Sequence, residues 1–206
     1  MSNSNMPFYE LLETVADNKF VLGDKMAEVG ISAPELESSV ASIALAQGEL
    51  GQARHLYIWS FELQGIEQEV VEQSGKAFSK QLAIDNWISL IAGAYVINCA
   101  VNVLVQDMLD ADKAGVRAKL SKLERELQEH IAFSRAWGEK MLDEQGKIPE
   151  VFRTALDDAS SEVEAWLEQV DRATNLQEEG YLTGRGVLES YKQALAQLHA
   201  TEREVV

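Results

Sequence analysis

Trp87-Ile88-Ser89-Leu90-Ile91-Ala92-Gly93-Ala94-Tyr95-Val96-Ile97-Asn98-Cys99-Ala100-Val101-Asn102-Val103-Leu104-Val105 carries no charged side chain. A run of this length is long enough to cross a bilayer as a helix. It also suits a helix at the centre of a water-soluble bundle, because a helix apolar on every side is buried wherever it sits. Three polar residues, Ser89, Asn98 and Asn102, interrupt it, and its flanks are Asp85 and Asp107 where membrane spans favour basic anchors. The reading is therefore a core helix that the rest of the chain wraps, with no membrane partner.

The remainder supports wrapping by helices. Apolar side chains recur at helical spacing, as in Leu36, Val40, Ile43, Leu50, Tyr57 and Phe61, and no run alternates with period two. Pro34 and Pro149 each follow a glycine-containing turn and read as first-turn residues of new helices. The expected helices run over about 8–29, 34–63, 80–109, 113–144, 149–174 and 186–202, with an irregular or short helical connection over 65–79. Short connections join the first helix to the second and the third to the fourth, and a longer crossover joins the two pairs. The fold class is all-α: a ferritin-like long four-helix bundle with additional C-terminal helices, expected to form a single domain over 1–206.

Of the 206 residues, 18 are Lys or Arg and 34 are Asp or Glu, for a formal net charge of -16. Clustered cations that could neutralise phosphates are missing, which excludes a nucleic-acid partner and disfavours unaided binding of polyanions such as coenzyme A. With 46% apolar residues the chain is not acidic through disorder, so the acid belongs to the surface. The lone cysteine, Cys99, allows no internal disulfide or multi-thiolate site, and it reads as buried packing. The N-terminus lacks the basic and apolar regions of a secretion signal. The expected location is cytoplasmic.

Most acids, such as Glu124, Glu126 and Glu129 or Glu162, Glu164 and Glu168, lie on mixed helical faces and read as solvated. Glu49 differs, because its helical neighbours Leu45, Ala46, Ala53 and Leu56 are apolar. A carboxylate there needs a partner, for which Arg54, Gln52, a metal or a polar group across the core are candidates. Asn98 and His130 fall near the middle of two further helices, at heights comparable with Glu49. Trp59, Trp87, Trp137 and Trp166 fall on four different helices and read as core or interface anchors. Gly184-Arg185-Gly186 reads as a turn before the last helix.

A carboxylate-bridged di-iron bundle takes a Glu from each of two helices and Glu-x-x-His from each of the other two. Here Gln52, Leu127 and Ala196 stand three residues before His55, His130 and His199, so neither motif exists. A complete site of that kind cannot be assembled.

Ala16-Asp17-Asn18-Lys19-Phe20-Val21-Leu22-Gly23, Ala33-Pro34-Glu35-Leu36-Glu37 and Ile43-Ala44-Leu45-Ala46-Gln47-Gly48-Glu49-Leu50-Gly51-Gln52-Ala53-Arg54-His55-Leu56-Tyr57 resemble the PaaA/PaaC family, the ferritin-like subunits of the phenylacetyl-CoA epoxidase complex. Asp85-Asn86-Trp87, His130 with Trp137, and Gly184-Arg185-Gly186-Val187 are similar to later segments of the family, so the resemblance covers about 8–203. It implies metal-ligand positions at Glu49, Gln52, Asn98, Leu127 and His130. Gln, Asn and Leu at three of them remove the anionic donors that a hard iron pair requires. This is similar in character to the family's non-catalytic, PaaC-type subunit.

The resemblance implies a structural subunit of a multicomponent aerobic oxygenase. Glu49, Gln52, Asn98 and His130 would form a metal-free polar network, with no cofactor expected in this chain. The expected partner is a catalytic ferritin-like paralogue or a second copy, with an acyl-CoA or aromatic substrate held mainly on the partner. The alternative is a catalytic oxidoreductase with a reduced iron site on Glu49, Glu126 and His130, with Asp17 as a distant candidate.

Overall fold

The structure, a computed structural model, describes residues 5–67 and 74–200. Its helices are α1 (Phe8–Val29), α2 (Leu36–Gln64), α3 (Ser79–Leu82), α4 (Trp87–Asp110), α5 (Val116–Leu142), α6 (Ile148–Arg172), α7 (Thr174–Glu178) and α8 (Val187–Ala200), with a 3₁₀ turn over Gly30–Ser32. There is no strand among the described residues.

Cross-helix contacts define the topology. Glu13 accepts from Ser60 and Gln64, Asp17 from Tyr57, and Ser42 donates to the Met26 carbonyl, so α1 and α2 are antiparallel. Helix α5 is antiparallel to α2 through Lys119–Glu62, Gln52–Glu126 and Lys140–Glu35, and antiparallel to α4 through Gln106–Glu124 and Gln128–Asn102. Consequently α2 and α4 run parallel, which requires a long crossover between Gly65 and Asn86. Two antiparallel pairs joined in this way form a ferritin-like bundle.

The uncharged run lies in α4, whose Ile91, Ala92, Ala94, Val96 and Asn98 are completely inaccessible. Length and composition would let α4 cross a membrane, yet it is enclosed by α1, α5, α6 and α8. Indole rings join neighbouring elements: Trp87 of α4 meets Trp137 of α5 edge-on at 5.2 Å, Trp59 of α2 meets Phe8 of α1, and Trp166 of α6 meets Phe78. Beyond the bundle, Asp171 accepts the backbone N–H groups of Val187 and Leu188, capping α8 and tying it to α6.

Several expected boundaries move. Pro34 lies before α2 instead of in its first turn, because Glu35 takes an extended conformation at the N-cap. The expected helix over 80–109 is broken: Asn86 forms a capping box with Ser89 and starts α4 at Trp87, leaving α3 as a separate single turn. Glu162 is not merely solvated, since it accepts from the Ser79 hydroxyl and the Lys80 N–H at the start of α3. Helix α7 was not anticipated in the stretch after 174. At the end of α2, Gly65 takes φ 66° and the Ile66 N–H returns to the Phe61 carbonyl, a left-handed stop that favours glycine. The middle of the expected connection, 68–73, and the end of the last expected helix, 201–202, lie outside the described residues.

Candidate functional site

The site is a buried ionic cluster at mid-height between α1, α2, α4 and α5. Glu49, on α2, is completely inaccessible, as its apolar neighbours require. Its Oε1 accepts from Asn98 Nδ2 of α4 at 2.9 Å and lies 2.5 Å from His130 Nδ1 of α5. An ionised carboxylate can only accept, so the His130 ring proton lies on Nδ1. Its Oε2 lies 2.6 Å from Lys19 Nζ of α1, and Lys19 is also completely buried. The same ammonium donates to Asn98 Oδ1 at 2.6 Å. One carboxylate, one ammonium and one amide thus close a ring over α1, α2 and α4, and the imidazole joins it at Glu49 from α5.

The Lys19–Glu49 pair dominates the electrostatics. Burial by itself would raise the Glu49 carboxyl, but the Lys19 charge and the His130 hydrogen bond outweigh it and bring the group down to about 2. Burial lowers the Lys19 ammonium, while the charges of Glu49 and Glu126 work in the opposite direction. Desolvating two ions costs several kcal/mol each, and only a closed geometry of this kind offsets that cost.

Close approach of His130 depends on Gly48. A Cβ there would meet His130 Nε2 at 2.8 Å and Cε1 at 2.9 Å, so only glycine lets the ring lie against the α2 backbone.

The remaining candidates lie elsewhere. Gln52 is buried beside the cluster but turns to α5, donating to Glu126 Oε2 at 3.2 Å. Its Oε1 is buried without a partner among the described residues, and Gln52 lines a cavity of about 120 Å³ with His55, Lys119, Lys122 and Glu126. Glu126 also lies 3.5 Å from Lys122. Arg54, weighed as a partner for Glu49, is exposed, and the partner is Lys19 from another helix. Leu127 is fully buried within the apolar core. Asp17 is committed to the crossover, accepting from Tyr57 Oη at 2.6 Å and the Lys76 N–H at 2.7 Å, while the neighbouring Asn18 accepts from the Phe78 N–H. Cys99 is buried, and that burial pushes its thiol up to about 12.

These residues do not fit a carboxylate-bridged iron pair. Such a pair takes four carboxylates and two imidazoles, whereas one carboxylate and one imidazole converge here, and an ammonium holds the place beside Glu49 where a cation would sit. Among the described residues no three His, Cys, Asp or Glu side chains gather as a metal site. Lys19 is the group that sequence reasoning missed. It stands within the Ala16-Asp17-Asn18-Lys19-Phe20 stretch that carries the family resemblance, but nothing local to that stretch marks it as buried.

The family described as phenylacetic acid catabolic protein, PaaA/PaaC, matches residues 1–201. The C subunit of the 1,2-phenylacetyl-CoA epoxidase of Escherichia coli (strain K12) is 28% identical over 134 residues, which is 62% of this chain and 54% of that protein. The match thus spans about half the length of that relative.

Proposed function

The chain belongs to the PaaA/PaaC phenylacetic acid catabolic protein family, and on that premise we propose that it is a non-catalytic ferritin-like subunit of a multicomponent aerobic oxygenase. The complex is of the phenylacetyl-CoA epoxidase type, and a di-iron relative of this chain performs the chemistry. A single observation carries the reading: the buried Lys19 ammonium neutralises Glu49 from 2.6 Å, at the height where the bundle of a catalytic relative would hold its metal. The ion pair keeps the four helices in register without iron, and the chain serves as a cytoplasmic scaffold for its partner.

The charge of -16 supports this division of labour. An acidic scaffold repels the phosphates of a coenzyme A ester, so the groups that bind such a substrate belong to the partner.

Isolation of the native complex, followed by iron analysis of each of its chains, tests the proposal. The expected result is a co-purifying ferritin-like chain that carries the iron, with this chain iron-free once separated. Near-stoichiometric iron in this chain alone, together with turnover abolished by Glu49→Ala, would overturn it in favour of a variant metal site.

A further inference from the structure

A cavity of about 120 Å³ lies between α2 and α5, open to solvent where Gly51 and Ala118 are exposed. Gln52 lines it and is only 4% exposed. A carboxylate can only accept hydrogen bonds, so the Gln52 amide must turn its nitrogen to Glu126 Oε2, as it does at 3.2 Å, and its oxygen elsewhere. That oxygen is buried with no hydrogen-bond partner among the described residues. A buried acceptor left in this state is costly, and it calls for a donor from outside the chain.

The rest of the cavity limits what can bring that donor. Leu123 is a buried part of its wall, and the stems of Lys119 and Lys122 add apolar surface. Waters filling such a space would lack the two to four polar partners that each requires. The His55 ring is fixed, because its Nε2 lies 2.8 Å from the Lys119 carbonyl and must carry the proton that the carbonyl accepts. Lys119 pairs with Glu62, and Lys122 lies 3.5 Å from Glu126. Both cations are therefore committed, which leaves no charge to hold an anion, while their presence opposes a second cation. Ammonium groups favour the face of an aromatic ring over an aliphatic body. The volume is close to the roughly 150 Å³ of an apolar cavity that takes up benzene, which sets the size at one six-membered ring with a small substituent.

We propose that this cavity is a binding site for a small neutral aromatic alcohol of phenol size, whose O–H donates to Gln52 Oε1 and whose ring lies between α2 and α5. The site is separate from the buried Lys19–Glu49 cluster and needs neither iron nor a catalytic relative. Occupancy ties α2 to α5 and raises the melting temperature by mass action.

Isothermal titration calorimetry of the full chain at neutral pH tests the site, with phenol as the probe and toluene as a ring of similar size without a donor. Phenol is expected to bind saturably at one site per chain, and toluene about tenfold more weakly, the effect of one hydrogen bond to a buried acceptor. Gln52→Met keeps the side-chain volume and removes the amide oxygen, so phenol should fall to the affinity of toluene while toluene is unchanged. Circular dichroism checks the fold of the variant, and the contrast between phenol and toluene in the wild type stands without it. Three results would each overturn the proposal: no saturable binding up to the solubility limit of phenol, equal affinities for phenol and toluene, or a preference for phenol that survives in Gln52→Met. The scaffold reading depends on iron and partner recovery, so the two can fail separately.

Discussion

Lys19 Nζ lies 2.6 Å from Glu49 Oε2 with neither side chain reaching solvent, and this pair joins α1 to α2 at the centre of the bundle. Removing one partner leaves a desolvated charge, which costs about 3–5 kcal/mol. Lys19→Met should therefore lower the melting temperature by roughly 6–20 °C in a chain of this size. Adding Glu49→Gln removes the orphaned charge while keeping a hydrogen-bonding amide, so the double variant should regain much of the loss. Strict additivity of the two substitutions in thermal unfolding would show that the charges are not coupled.

The same pair sets an acid limit. The Glu49 carboxyl sits at about 2 in the folded protein against 4.5 for an ordinary glutamate. A folded value below the unfolded one stabilises above the unfolded value, and the contribution fades as pH falls from about 4.5 towards 2. The part at stake is on the order of 3 kcal/mol. Burial lowers the Lys19 ammonium from 10.5, against the opposing pull of the Glu49 and Glu126 charges. The stability difference between wild type and Glu49→Gln, followed by urea unfolding, should shrink as pH falls through that acid window.

Gly48→Ala should disturb the cluster from the backbone side. The new Cβ would stand 2.8 Å from His130 Nε2, and overpacking of this kind costs about 1–3 kcal/mol. Better helix propensity returns about 1 kcal/mol. The expected sign is a net loss in the wild type and a net gain in a His130→Ala background, where the ring is gone. A stabilised Gly48→Ala chain with His130 intact would contradict the close approach.

Asp17 links α1 to the crossover through the Lys76 N–H and to α2 through Tyr57. Asp17→Ala removes a buried charged acceptor from both, at about 1.5–3 kcal/mol per hydrogen bond. Limited proteolysis should then cut faster between Gly65 and Asn86, with the bundle helices surviving. Cleavage at wild-type rates would show that Asn18 and Lys76 hold the crossover without it.

The helices were legible because their signals are local. Apolar spacing in α1 and α2 and the uncharged run in α4 report burial of a helix by its own residues. Boundaries were less legible where a side chain far along the chain or a cap decides them. Asn86 and Ser89 break the helix expected over 80–109, and Glu162, on α6, secures the single turn of α3. In the site, Glu49, Asn98 and His130 stood out as polar groups on apolar helices, and the structure joins them by hydrogen bonds. Gln52 lies beside them but pairs with Glu126 instead.

By itself the sequence determined the helical class and the identities of Gln52, Asn98 and Leu127 at the positions the resemblance implies, which no folding can change. Only the tertiary structure decided what neutralises Glu49. Lys19 meets Asn98 across 79 residues of chain and belongs to an ordinary-looking Asn18-Lys19-Phe20 stretch. Whether its ammonium lies in water or in the core depends on how α1 packs against α2 and α4, and desolvation is a property of that packing, not of the lysine.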